Sequence, residues 1–276
     1  MSSKLYVVGT PIGNLSDMSP RAIETLRSVD FIAAEDTRVT MKLLNHFDIQ
    51  KPLVSYFEHN KAEKTAKMLS RLQNGEKCAI VTDAGMPCIS DPGEDLVRAC
   101  RDNGIEVESV PGPSAVITAL AVSGLKTGRF CFEGFLSVNK QSRRVHLEEL
   151  KNETRTMVFY EAPHKLLATL KDMEAAFGNR EIALCRELTK LHEEVIRTTL
   201  KDAQKLYEET APRGEFVLII SGKETEKETY TVEQAAEIAA RLISGGESAS
   251  AAAKEAAAVT GLKKGEIYKF LIERDK

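Results

Sequence analysis

Three short loops carry the residues best suited to chemistry. "GTPIGN" (9–14), "DAGMPCISDPG" (83–93) and "PGPSA" (111–115) each follow an apolar, strand-like run. Open α/β sheets bind ligands beyond the carboxyl ends of their strands, so three such loops at one sheet edge predict a site where a lone loop would be only a turn. Ionisable residues stand at equivalent places: Glu35, Asp36 and Arg38 in "AEDTR", Asp83, Glu161 with His164 in "YEAPHK", and Arg186 with Glu187 in "CRELTK". A charge at a strand end is often just solvated. A carboxylate directly after a buried strand, beside glycine loops, is also where a pKa is tuned and a proton taken. Ser114 is placed to cap the helix "AVITALAV", whose N-terminal N–H groups suit a ligand carboxylate or hydroxyl.

Several familiar sites are excluded. "GTPIGN" is not G-x-G-x-x-G, and the chain has neither G-x-x-x-x-G-K-[ST] nor H-E-x-x-H, so a dinucleotide fold, a Walker-type NTPase and a zinc protease lack motif support. Ser114 does not sit in a G-x-S-x-G elbow. The five cysteines are odd in number, scattered and form no C-x-x-C pair, so neither a zinc site nor a disulfide frame is indicated. A net charge of −3 over 276 residues leaves nucleic-acid binding to a local patch. The amino terminus is interrupted by glycine and proline too early for a signal peptide, and no apolar run nears the roughly 20 residues of a membrane span. These features predict a soluble, cytoplasmic protein.

The elements that must position the loops alternate with little interruption. Strands are expected at 4–9, 30–36, 52–57, 77–83 and 105–110, separated by helices that include one from Ser19 and Pro20 and a long one over 60–74. This is the rhythm of a parallel sheet covered by helices, predicting an α/β domain over 1–123. Gly124 and Gly128 then break the pattern. A second α/β domain over 124–223 is expected, with strands at 130–135, 155–162, 181–188, 193–200 and 215–222. The close spacing of its last strands predicts a mixed sheet, because a parallel crossover needs more chain. A charged, exposed linker follows, and then a helical tail over 231–276 with apolar spacing at Ala236, Ala239, Ala240 and Ile243 and at Ile267, Phe270 and Leu271. Its Ala-rich second helix, Gly turn and basic third segment are helix-turn-helix-like; a plain helical tail packing on the body fits equally well.

Taken together, "LYVVGTPIGNLSDMSPRA", "FIAAEDTR", "TDAGMPCISDPG", "VPGPSAVITAL", "FYEAPHKL", "CRELTKLHEE" and "GEFVLII" occur in one order along the chain. In that order they resemble the ribosomal RNA small subunit methyltransferase I family, the 16S rRNA cytidine 2′-O-methyltransferases, within the tetrapyrrole methylase (class III) group. The resemblance spans about residues 4–222, and the tail is similar to the extension of many members. It implies a tetrapyrrole methylase-like fold of two α/β domains with S-adenosylmethionine in the cleft between them, a homodimer, and the small ribosomal subunit as partner. It also implies cofactor contacts at Pro11 and Ile12, at Gly85 and Met86 through the main chain, at Ile89, at Ser114 and Ala115, at Tyr160 and Glu161, and at Pro212 and Gly214. Met86 stands where many relatives carry Asp, which a main-chain contact tolerates. No metal is implied.

A ribose 2′-hydroxyl is a poor nucleophile, so a base is expected. The strand-end positions point to Asp36 or Glu161, with Arg38 and Arg186 handling nearby phosphate or ribose, whereas Asp83 and Asp91 read as loop-shaping residues. For RNA, "NKQSRRVHLEELK" (139–151) places Lys140, Arg143, Arg144 and His146 on one helix, and Lys263, Lys264 and Lys269 in the tail add to it. The same helix reads equally as a solvated face. Two other readings stay open: a tetrapyrrole or other small-molecule methyltransferase, which would not need the basic helix or the tail, and a non-catalytic ligand-binding regulator with a helix-turn-helix tail, which leaves the strand-end carboxylates unexplained.

Overall fold

The computed structural model describes residues 3–57, 61–224 and 230–274. Its first element, β1 (Lys4–Val8), belongs to a five-stranded parallel sheet that also holds β2 (Phe31–Ala34), β3 (Leu53–Ser55), β4 (Lys77–Val81) and β5 (Glu106–Val110), in the order β3-β2-β4-β1-β5 with β4 at the centre. Both faces of the sheet are covered, and the strand residues divide accordingly. Leu5, Val7, Cys78 and Ile80 enter one core, whereas Val8, Ala79 and Val81 enter another. Near-continuous apolar strands are what a sheet buried on both faces requires.

The covering helices are α1 (Pro20–Ser28), α2 (Thr37–His46), α3 (Lys61–Gln73) and α4 (Glu94–Asp102). Ser19 caps α1 by accepting the Ala22 N–H, and Pro20 fills its first position, as the sequence predicts. Asp36 caps α2. Asn60, the expected start of α3, lies outside the described residues, as do 225–229 of the expected linker and 275–276 of the tail.

Next come α5 (Ala115–Ser123) and a second five-stranded sheet: β6 (Phe130–Phe135), β7 (Thr156–Glu161), β8 (Glu181–Arg186), β9 (Glu194–Thr199) and β10 (Phe216–Ile220). Its order is β6-β7-β10-β8-β9, with β6 and β7 parallel and the other pairs antiparallel. The expected mixed sheet is therefore present. Phe216, Leu218 and Ile220 face a core shared with α6 (Lys140–Glu149), α7 (Leu166–Phe177) and α8 (Leu200–Glu209). Val217 and Ile219 face the other way, onto Val116, Ala119 and Leu120 of α5. This uncharged helix bridges the two halves by packing on the second sheet while its N-terminus emerges from the first. Met1–Lys223 forms one compact unit.

Glu224–Lys276 forms the other. It holds α9 (Val232–Ser244), α10 (Ala249–Thr260) and α11 (Lys264–Arg274). A reciprocal capping box between Thr231 and Gln234 starts α9, and Gly261 in the left-handed region ends α10. Ala235, Ala236, Ala239, Ala252, Ala253 and Ala256 bury completely with Ile267, so small side chains let the helices approach closely. Ile243, expected on the apolar stripe, is 36% exposed, whereas its neighbour Leu242 packs against the core of the bundle.

Candidate functional site

The strand order explains how the loops meet. β1 lies between β4 and β5, and β4 also pairs with β2, so the segments leaving all four strands share one edge of the sheet. The first and second loops are stitched together: Thr10 N–H donates to Gly85 O at 2.9 Å, and Gly85 N–H returns to Thr10 O at 3.1 Å. The Thr10 hydroxyl donates to Thr82 O. Gly9 and Gly112 touch backbone to backbone, and a Cβ on Gly9 would lie 2.7 Å from Gly112 Cα. Glycine is required there by close approach. Met86 seals the junction, its sulfur accepting the Gly112 N–H at 3.3 Å. Its sulfur is thus engaged inside the fold.

A cleft of about 360 Å³ opens over this edge and is closed by the strand ends of the second sheet. Of the residues that the resemblance implies, Ile12, Gly85, Met86, Ile89, Ser114, Ala115, Tyr160 and Glu161 line it. Ser114 occupies the cap position of α5, but its side chain makes no capping hydrogen bond, which leaves the N-terminal N–H groups to the cleft. Pro11 stands beside Ile12 in an adjoining cavity.

Other residues lie elsewhere. Arg186 pairs with Glu194 at 3.0 Å and lines a separate cavity with Pro212. Gly214 lies behind the cleft wall: a Cβ there would strike the Glu187 carboxylate at 2.7 Å, so Gly214 makes room for Glu187. Glu187 in turn accepts the Glu215 N–H and the Lys190 ammonium.

The two expected bases are otherwise engaged. Glu161 is 4% exposed, with Oε1 accepting the Ala162 N–H at 2.8 Å and Oε2 accepting the Thr169 hydroxyl at 2.5 Å. A carboxylate with both oxygens bonded inside the fold braces the end of β7 and is poorly placed to collect a proton. Asp36 accepts the Arg38 N–H at the start of α2 and forms a bidentate pair with the Arg38 guanidinium. That guanidinium holds the Asp36 carboxyl at about 2. Its basicity is low, and it does not line the cleft.

Besides Glu161, Glu187 and Glu215, three further carboxylates line the cleft: Glu35, Asp83 and Asp91. Burial raises all three; the nearby Asp83 charge adds for Glu35, and the Asp36 charge for Asp83. Asp91 is pushed up to about 7, by burial and then by Glu35 and Asp83. Its loop also contains Cys88 and Ser90 at positive φ, 71° and 62°. Asp91 lines the cleft as well as its loop, and its sequence signal is its position one residue before the Pro92-Gly93 turn, too local to reveal its neighbours across the cleft.

Phe135 has no such signal. In regular alternation it would share a side with Cys131, which faces the α6–α8 core. A bulge between Phe132 and Gly134 shifts the register, and Gly134 adopts a φ of 65°. Phe135 therefore emerges on the side of Phe132 and stands 5.3 Å from the ring of Tyr160 in the cleft wall.

On α6 the four basic residues separate. Lys140 and Arg144 are exposed. Arg143 is 12% exposed and bonds Asp172 of α7 at 2.6 Å, and His146 contacts Glu133 at 3.0 Å, so both belong to the packing of α6. In the tail, Lys263 is exposed and Lys264 donates to the Ser250 hydroxyl. Among the described residues no His, Cys, Asp and Glu group is arranged to hold a metal ion, and no helix is long and apolar enough to cross a membrane.

A parallel sheet joined through α5 to a mixed sheet, with glycine loops facing the cleft between them, defines a class of methylases. The model of the Tetrapyrrole (Corrin/Porphyrin) Methylases matches residues 4–204. Solved structures share the fold: a uroporphyrin-III-C-methyltransferase from Thermus thermophilus superposes with a TM-score of 0.57 at 20% identity, over 79% of this chain and 94% of that one. A diphthine synthase gives 0.61 at 12% identity, over 81% and 91%. At such identities the likeness concerns the fold alone. Sequence relatives are nearer. A ribosomal RNA small subunit methyltransferase I of Synechocystis sp. is 47% identical over 98% of this chain and 97% of its own length. Those of Thermotoga maritima and Bacillus subtilis are 52% and 45% identical, over 80% and 96% of this chain and 99% and 92% of theirs. The chain belongs to the tetrapyrrole methylase family and, within it, to the ribosomal RNA small subunit methyltransferases I.

Proposed function

We propose that this protein transfers a methyl group from S-adenosylmethionine to a ribose 2′-hydroxyl of a cytidine in the 16S RNA of the small ribosomal subunit. The observation that carries the reading is the cleft itself, where main-chain groups of three glycine loops, several carboxylates and an aromatic wall converge. Those residues suit the cofactor. The uncapped N-terminus of α5 suits a carboxylate. Glu35 and Asp91 suit cationic groups, and Ile12, Ile89, Phe135 and Tyr160 offer apolar surface to a flat base. When bound, S-adenosylmethionine supplies an electrophilic methyl group.

The chain's own part is to position the acceptor and take its proton. Asp83 suits the latter: Oδ1 accepts the Asp36 N–H at 3.1 Å, and we assign Oδ2 to the hydroxyl proton. Holding donor and acceptor in line supplies much of the rate in such displacements. Exposed Lys140 and Arg144 are suited to RNA phosphates, with Lys263 and Lys264 of the tail in support. A homodimer and a cytoplasmic location belong to the same proposal.

The test is labelling of purified small ribosomal subunits with methyl-labelled S-adenosylmethionine, beside naked 16S RNA and a porphyrinogen. Label is expected in the RNA of the subunit, in a dinucleotide resistant to alkali. Label only in the porphyrinogen would reject the proposal.

A further inference from the structure

A second cavity, of about 450 Å³, opens beside the cofactor cleft. Pro11, Leu15, Val39 and Leu43 give it apolar walls. It shares Ile12, Asp83, Ala84, Lys190 and Glu215 with the first cavity, so the two meet at Asp83 and at the Lys190–Glu215 ion pair.

Thr40 of α2 also lines this second cavity. It is 2% exposed, and its hydroxyl has no hydrogen-bond partner. A helical threonine ordinarily bonds the carbonyl four residues back, as Thr25 does with Arg21 O and Thr260 with Ala256 O. Thr40 does not, and a buried hydroxyl left unpaired is unfavourable unless something else meets it. Two residues either side, Arg38 and Lys42 stand exposed on the same helix.

We propose that the second cavity is the acceptor pocket, taking a single ribonucleoside turned out of its RNA strand. The apolar walls hold the base, the Thr40 hydroxyl bonds its edge, and the ribose lies where Asp83 joins the two cavities. Arg38 and Lys42 meet the flanking phosphates. RNA is read by sequence mainly where bases are unstacked and splayed out, and enzymes that need one nucleotide in a closed site extrude it. The inference rests on the reading of the chain as an RNA methyltransferase and adds where the target nucleoside sits.

The full-length protein tests it in two ways. With p-benzoylphenylalanine incorporated at Val39, irradiation with 16S RNA is expected to crosslink a single nucleotide, mapped by primer extension. That nucleotide should be the methylated one or its immediate neighbour. Crosslinks scattered over many positions, or none, overturn the proposal. Because crosslinking needs no turnover, a single crosslink to RNA that never acquires a methyl group would reject the methylation reading and leave the pocket standing.

Two variants then separate a ligand role from a structural one. Thr40→Val removes the hydroxyl and keeps the shape; kcat/KM for RNA should fall at least tenfold while S-adenosylmethionine affinity and Tm hold or rise. Val39→Trp, at a 38% exposed position, fills the cavity and should abolish methylation with cofactor affinity intact. Turnover within twofold of wild type in both variants overturns the proposal. So does a loss of cofactor affinity that matches the loss of activity in both, since the cavity would then belong to the cofactor cleft.

Discussion

The backbone N–H of Asp36 donates to the Asp83 carboxylate at 3.1 Å, tying the segment after β2 to the loop after β4. The two strands are paired, with Ala34 opposite Val81, so the residues that follow them are neighbours. The bond consumes one oxygen of Asp83 and aligns the carboxylate where the two cavities join.

Asp83→Asn preserves that alignment, because the amide oxygen still accepts the Asp36 N–H. Methyl transfer is expected to fall by about 10²–10⁴-fold, the usual contribution of a positioned base, with S-adenosylmethionine binding by calorimetry nearly unchanged. In the wild type, burial raises the Asp83 carboxyl. A base must be deprotonated, so kcat should decline as pH falls through that raised value. The variant should lose this acid limb. Full turnover in Asp83→Asn would remove Asp83 from the role.

Asp91 makes a stability prediction of definite sign. Its carboxyl sits at about 7 in the folded chain, mainly through burial, against about 3.9 when unfolded. Between these values the folded state holds a proton that the unfolded state has released, so this group's contribution to stability falls as pH rises through the window. Above the folded value the charged form is fully penalised. Asp91→Asn removes the penalty, so its Tm should exceed that of the wild type by a few degrees at pH 8 and match it near pH 4. An equal gain at both pH values would mean that the charge of Asp91 is not what burial opposes.

Much of this site is legible in the residues themselves. Apolar runs ending in glycine and proline locate the cleft edge, and Ser19–Pro20 marks a helix start that the structure contains. What local pattern cannot carry is the partner of a side chain. Glu161 looks available after an apolar strand, yet Thr169, eight residues on, turns it inward. Arg143 reads as one of a basic cluster until α7 brings Asp172 against it. Phe135 escapes because a single extra residue in β6 inverts its side of the sheet. Each miss concerns a contact between elements, where tertiary packing overrides local spacing.

The separation on α6 gives opposite outcomes for adjacent arginines. Arg143→Glu sets two acids, the new one and Asp172, against each other in a half-buried contact, and should cost about 1–3 kcal/mol of stability, read by urea unfolding. Arg144→Glu with Lys140→Glu should leave unfolding unchanged and raise KM for RNA. The slope of log binding against log salt should fall by about two phosphate contacts' worth. An unchanged salt slope would take α6 out of the RNA interface.

Phe135 offers the clearest separation of binding from folding. Its side chain is 60% exposed and packs at a tilt of 54° against Tyr160, which also meets Phe132 edge-on at 5.1 Å. Aromatic pairs of this kind contribute about 0.5–1.5 kcal/mol beyond area burial. Phe135→Ala should therefore shift Tm little, since an exposed ring buries little apolar surface. If the ring forms a wall for a flat base, S-adenosylmethionine Kd should rise about tenfold and Phe135→Tyr should restore it. Gly134→Ala tests the geometry that presents the ring. At φ 65° with Ser90 Oγ 3.3 Å from the added methyl group, it strains the bulge. It should weaken the cofactor in the same direction while leaving Phe135 itself intact. Cofactor affinity unchanged in both variants would show that the bulge turns Phe135 outward for some other purpose than holding the cofactor.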